Sequence, residues 1–308
     1  MRKDKVKTFA LFGNVYQCSK SAAISKVLAC LQHEGARVLI EREYFDFLCA
    51  SGLISDADNN GSSIETFTGS NFEADFALSM GGDGTLLRTA SLVGSKPVPI
   101  LGVNIGRLGF MADSDADDFH NTLLSLYSGD YTTEQRALIQ VNALGEEYNL
   151  ITDGTAGHNC ALNDVAILKR DTASMISIRT CINGEYLTTY QADGLIVSTP
   201  TGSTAYSLSN GGPIIVPGTG VMLLTAVAPH SLNVRPIVIP DTAVVEVTVS
   251  SRSHTFLVAI DGRSTKMPEG TTLHLQRAPY KVSVVKRSGT RYFSTLREKM
   301  MWGADLRK

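Results

Sequence analysis

Phe76-Ala77-Leu78-Ser79-Met80-Gly81-Gly82-Asp83-Gly84-Thr85-Leu86-Leu87-Arg88-Thr89-Ala90 passes from an apolar run, through three glycines and one carboxylate, into a segment with helical spacing. A buried strand that hands over to a helix through glycines is where α/β folds house phosphate. The first N–H groups of such a helix lack intrahelical partners and carry the positive end of its dipole, and glycine lets an anion come close to them. On this reading Gly82, Gly84 and Thr85 bind phosphate. Asp83 is the unusual member, because a carboxylate repels bare phosphate. Its presence implies a divalent cation, or a hydroxyl whose proton it accepts. Phosphoryl transfer to a hydroxyl uses both. The plainer alternative is a strand-to-helix turn in which Asp83 caps the helix.

Strand and helix signals alternate on both sides of this stretch. Residues 8–12, 36–40, 74–80 and 98–103 read as short buried strands, and residues 84–92 and 116–127 as helices. Residues 21–35 place Ile24, Val27, Leu28 and Leu31 on one helical face that Gly35 terminates. Such alternation predicts an α/β fold, a Rossmann-like parallel sheet covered on both faces. After Gly129 the period changes to two, over residues 138–144, 161–168, 176–182, 186–190, 244–249, 256–260, 273–275 and 281–285. Asn183-Gly184 between two of these runs signals a hairpin. The expected division is an α/β nucleotide domain over residues 1–130, a β-rich, sandwich-like domain over 131–285, and a terminal segment over 286–308. In that segment a short helix (294–301) packs back on the first domain.

The chain has 308 residues, 43% hydrophobic and 19% charged, with a net charge of −2 and both signs interspersed. That is enough for two domains with cores of their own. Nothing resembles the basic block that tracks a nucleic-acid backbone. The basic N-terminus precedes an apolar stretch too short for a signal-peptide core, so a cytoplasmic protein is expected. Five cysteines and six histidines show no metal-ligand spacing, and no residue is assigned as a metal ligand. From Gly194 to Val234 there is no Asp, Glu, Lys or Arg, yet the stretch is rich in Gly, Pro, Ser and Thr, unlike a membrane span.

The start of that uncharged stretch is the second chemical feature. Residues 191–213 gather hydroxyls, glycines and Tyr206 into one loop region after a strand. Hydroxyls and backbone N–H groups offer neutral hydrogen bonds to sugar, amide or phosphate, and Tyr206 offers a π-face or an O–H to a base. A Ser/Thr-rich cluster of turns is the alternative.

Five segments in order resemble the NAD kinase family in its bacterial form. They are Gly81-Gly82-Asp83-Gly84-Thr85; residues 99–110 (Pro-Ile-Leu-Gly-Val-Asn-Ile-Gly-Arg-Leu-Gly-Phe); Leu162-Asn163-Asp164-Val165; residues 193–213; and Pro229-His230-Ser231-Leu232-Asn233 with Arg235-Pro236. The first also occurs in phosphofructokinases and lipid kinases; the second and fourth are specific to NAD kinases. The resemblance implies transfer of the γ-phosphoryl of ATP to the 2′-hydroxyl of the adenosine ribose of NAD, giving NADP. Asp83 would accept the hydroxyl proton while a divalent cation, Mg²⁺, neutralises charge on the triphosphate.

By the same resemblance the NAD contacts are Asp83, Gly84, Arg88, Asn163, Asp164, Asp193, Thr204, Ala205, Tyr206, Ser207, Leu208, Ser209 and Arg263. Arg88 reads equally as a solvated helix residue, and Arg263 as a plain turn residue. The family carries Asn-Glu where this chain has Asn163-Asp164, one methylene shorter, and Asn210 stands where a small residue is expected. A satisfied buried histidine is the expectation for His230. The resemblance further implies ATP or inorganic polyphosphate as donor, a homodimer or homotetramer, and neither nucleic acid nor membrane as partner. Two other readings of the same residues are a non-catalytic dinucleotide sensor and a lipid or sugar kinase sharing the Gly-Gly-Asp-Gly-Thr core.

Overall fold

The computed structural model describes residues 6–16, 20–55, 64–105, 110–112, 114–144, 159–171, 174–287 and 292–303. The chain divides into two compact units, residues 1–135 with 282–308, and residues 136–281. Both divisions fall inside long strands, which carry the chain onward without a turn.

The first unit opens with β1 (Thr8–Gly13), α1 (Ser21–His33), β2 (Arg37–Glu41), α2 (Arg42–Ala50), β3 (Ile64–Phe67), β4 (Phe76–Met80), α3 (Asp83–Val93), β5 (Ile100–Asn104), β6 (Ser114–Asp115) and α4 (Phe119–Ser128). It ends in the first part of β7 (Tyr131–Leu144). The pairings β3–β2, β2–β1, β1–β4 and β4–β5 are all parallel. A parallel sheet buried on both faces needs continuous apolar strands, and every residue of β4 is buried. Phe9, Leu11, Ile24, Leu31, Phe76 and Leu78 belong to one core that extends to Phe119 and Leu123. The sequence reading passed over α2 and β3. The first is a single amphipathic stretch whose start is set by Glu41, which accepts the N–H of Tyr44.

The second unit continues with β8 (Cys160–Ala161), β9 (Asp164–Lys169), β10 (Ile176–Ile182), β11 (Glu185–Ala192), β12 (Gly194–Ser198), α5 (Tyr206–Ser209), β13 (Val221–Val227), β14 (Ile237–Pro240), β15 (Val245–Ser250), β16 (Thr255–Ile260), β17 (Arg263–Pro268) and β18 (Thr272–Arg287). One sheet orders β14-β13-β12-β9-β16-β17, and the other carries β11-β10-β15 and the first part of β18, all antiparallel. Val165, Ile167, Leu195, Val197 and Phe256 of one sheet share a core with Ile178, Val247 and Leu273 of the other, so the sheets pack as a sandwich. Asn183 (φ 52°) and Gly184 (φ 81°) make the two-residue turn of the β10–β11 hairpin.

Two expectations change here. Residues 194–198 are not loop but a fully buried strand, because Leu195 and Val197 face the sandwich core while Ile196 meets Ala166 and Ala259 on the other side. The expected strand over residues 161–168 breaks at Leu162-Asn163 and restarts at Asp164.

The last part of β18 returns to the first unit, where Val284 pairs in parallel with Ile100 of β5. There α6 (Tyr292–Met300) follows, with Leu296 buried and the Lys299 ammonium donating to the Ala112 carbonyl at 3.1 Å. No helix among the described residues is long and apolar enough to cross a membrane.

Candidate active site

In the first unit β1 pairs with β2 on one side and β4 on the other, so strand order reverses between β1 and β4. Open parallel sheets bind ligands beyond the carboxyl ends of their strands at such a reversal. Gly81 to Thr85 leaves the carboxyl end of β4 at this place, with Gly82 preceding α3 as its N-cap residue. Gly81 answers to packing, since a Cβ there would lie 2.2 Å from Thr85 Oγ1. Thr85 is buried accordingly. Gly82 and Gly84 are different: neither has a positive φ, and a Cβ on either would meet nothing within 4 Å. The fold does not require glycine at these two positions. The space in front of both leaves their backbone open to close approach.

Asp83 does not cap its own helix. Its Oδ2 accepts the N–H of Phe110 at 2.8 Å and its Oδ1 that of Met111 at 2.9 Å. These bonds fix the plane of the carboxylate while each oxygen keeps a further lone pair. They also tie the Gly-Gly-Asp-Gly-Thr segment to the end of the 99–110 segment, whose Gly106, Arg107, Leu108 and Gly109 lie outside the described residues. One helical turn on, the Arg88 guanidinium binds Glu41 Oε1 at 3.2 Å and Glu43 Oε2 at 2.8 Å, so its charge is matched within the unit.

In the second unit the break at Leu162-Asn163 is the organised feature. Asp261 Oδ2 accepts the N–H of Leu162 at 2.7 Å, and its Oδ1 those of Asn163 at 2.8 Å and Asp164 at 3.1 Å. From the opposite side, the Thr199 hydroxyl donates to the Leu162 carbonyl at 2.6 Å and the Thr199 N–H to the Asn163 carbonyl at 2.9 Å. Gly202 lies so close that a Cβ would stand 2.1 Å from the Asn163 oxygen. Asn163 Oδ1 is buried with no donor among the described residues. The buried Asp164 carboxyl is pushed up to about 7, first by burial and then by the charge of Asp261. Burial also raises Asp261, against the pull of its three N–H donors and of Arg263.

The expected dinucleotide residues separate by environment. Asp193 pairs with Lys169 Nζ at 2.6 Å. Tyr206 is exposed, whereas the Ser207 hydroxyl is buried against Thr225 Oγ1 at 2.8 Å. Thr204 Oγ1 donates to the Thr201 carbonyl at 3.3 Å, and the Ala205 N–H to the Gly202 carbonyl at 2.9 Å. Leu208 is half-buried and Ser209 exposed. Asn210 preserves the turn before Gly211, its amide donating to the Tyr206 carbonyl at 2.9 Å. Arg263 begins β17, with Nε donating to the Ile260 carbonyl at 3.3 Å. His230 is exposed, against the expectation of a buried ring, because it follows the end of β13, where its N–H is held by the Gln191 carbonyl.

Sequence reasoning missed Asp261, Thr199 and Glu41 as organising residues. Among the described residues no cluster of three or more His, Cys, Asp or Glu could hold a metal ion.

The family model for the ATP-NAD kinase N-terminal domain matches residues 26–131, and that for the ATP-NAD kinase C-terminal domain matches residues 162–287. The NAD kinase of Bacteroides fragilis (strain ATCC 25285) is 51% identical over 301 residues, covering 97% of this chain and 99% of the relative. That of Porphyromonas gingivalis (strain W83) is 40% identical over 302 residues, covering 98% and 100%. The crystal structure of yeast NADH kinase complexed with NADH has a TM-score of 0.84 at 22% identity, over 99% of this chain and 90% of that one. At that identity the likeness is one of fold.

Proposed function

The chain belongs to the NAD kinase family, a family of enzymes that phosphorylate NAD, and from that membership we propose how its own residues carry the reaction. The γ-phosphoryl of ATP passes to the 2′-hydroxyl of the adenosine ribose of NAD, leaving ADP and NADP. Asp83 takes the proton of that hydroxyl as its oxygen attacks phosphorus. The observation that carries this role is the pair of N–H bonds from Phe110 and Met111, which aim the carboxylate while leaving it lone pairs to accept with. Gly82, Gly84 and the start of α3 receive phosphate oxygens, supported by the open space in front of both glycines. A divalent cation, when bound, would neutralise charge on the triphosphate.

Asn163, Asp164, Asp193, the 204–209 turn apart from the Ser207 hydroxyl, and Arg263 bind the dinucleotide. The unpartnered Asn163 Oδ1 supports this, since a buried amide oxygen without a donor is costly until a ligand supplies one. Arg88 and Ser207 already hold partners inside their units, so they serve the site by fixing α3 and the turn. A homodimer or homotetramer working in the cytoplasm belongs to the same reading, carried by the family membership.

Asp83→Asn tests the assignment. Turnover is expected to fall by about 10²- to 10⁴-fold, the usual worth of a general base, with NAD affinity measured by calorimetry held within a few-fold. Unchanged turnover in the folded variant removes Asp83 from the mechanism.

A further inference from the structure

We propose that Asp261 is a positioning residue of the dinucleotide site: by gathering the N–H groups of Leu162, Asn163 and Asp164, it sets the direction in which Asn163 and Asp164 meet NAD. This rests on the reading that Asn163 and Asp164 contact NAD. Asp261-Gly262 is the two-residue turn between β16 and β17, and a hairpin turn accounts for φ of 47° and 82° at these positions. It gives no reason to direct the carboxylate at three successive N–H groups of another strand. Asp261 is joined to that strand a fourth time, by its own N–H to the Asp164 carbonyl at 3.0 Å.

Thr199 takes the carbonyls of Leu162 and Asn163 on the other side. Each N–H and carbonyl of the break thus has a partner in a neighbouring element, while Asn163 Oδ1 has no donor among the described residues. Burial raises Asp261, while its three N–H donors and Arg263 favour its ionised form. Asp164 carries the proton when the pH is below about 7. The other charged or titratable groups around the pair are Arg263, which faces Asp261, and Cys160 and Tyr280 beside Arg263.

The test is Asp261→Asn in the full chain, with steady-state kinetics for both substrates across pH. The amide keeps the shape, removes the charge and places an NH₂ against N–H donors. KM for NAD should rise about tenfold or more while KM for ATP holds, as a displaced binding group demands. The inflection of kcat/KM for NAD should also move down from near neutral, because Asp164 loses the share of its shift that Asp261 adds to burial. A folded variant that leaves KM for NAD or the inflection unmoved overturns the proposal. Should Asp261→Asn not fold, amide exchange in the wild type decides. Strong protection of the Leu162, Asn163 and Asp164 amides is expected, and exchange at free-peptide rates overturns it. Asn163→Ala and Asp164→Asn run alongside. If neither raises KM for NAD, the NAD-contact reading itself fails; if both do and Asp261→Asn does not, only the positioning role fails.

Discussion

Glycines of the two chemical motifs meet different surroundings. A Cβ on Gly202 would press on the backbone oxygen of Asn163, which cannot swing away, while a Cβ on Gly82 would meet open space. Gly202→Ala should therefore cost about 1–3 kcal/mol of stability, as overpacking does. Gly82→Ala should change stability by less than about 0.5 kcal/mol yet raise KM for ATP, by obstructing a phosphate. Urea denaturation and steady-state kinetics on the two variants would contradict this if both lost stability alike. Nothing local distinguishes these glycines in the sequence. Asp261 was hidden for a related reason: an Asp-Gly after a strand reads as a turn, and its three N–H partners lie 97 to 99 residues away. Arg88 likewise finds Glu41 at a separation of 47 residues. Asp83 stands out as a candidate in the sequence because its setting between a buried strand and glycines is itself local.

Elements were readable wherever their signal was short-range. Asn183-Gly184 is the clearest, since both turn positions need positive φ and these two residue types supply it. Gly184→Ala should destabilise the chain by about 1–2 kcal/mol, the cost of holding a Cβ in the left-handed region. Chemical denaturation checks this, and an unchanged midpoint would contradict it. The strand β12 was misread because Ser198-Thr199-Pro200-Thr201-Gly202 follows it directly, and hydroxyl-rich turn chemistry drew the apolar Leu195-Ile196-Val197 into the same loop. The strand β18 was read as two, since Gln276-Arg277-Ala278-Pro279 interrupts its alternation. Pairing with β15 on one stretch and β5 on another holds it as one strand. In both cases tertiary pairing overrode a local pattern.

For the whole molecule, the raised Asp164 makes stability depend on pH. Its carboxyl goes from 3.8 to about 7 on folding, so between those values the native state binds more protons than the unfolded chain. Stability then falls as pH rises through that window and levels off above it. Asp164→Asn removes this slope and should leave the variant more stable than wild type at pH 8, by about 1–3 kcal/mol, since a buried charge no longer has to form. Equal slopes in the two proteins would contradict it. Each unit has its own apolar core, which composition and length already implied, whereas the pair of buried carboxylates that tunes the second unit did not emerge until the fold was known. The central claim, phosphoryl transfer to NAD governed by Asp83, is tested most directly by incubating the protein and its Asp83→Asn variant with NAD, Mg²⁺ and ATP labelled in the γ-phosphate. The label is then followed into a product that an NADP-specific dehydrogenase reduces. Labelled NADP from the wild type, with almost none from the variant, is the predicted result; equal labelling by both, or none by the wild type while NAD still binds, would contradict the account.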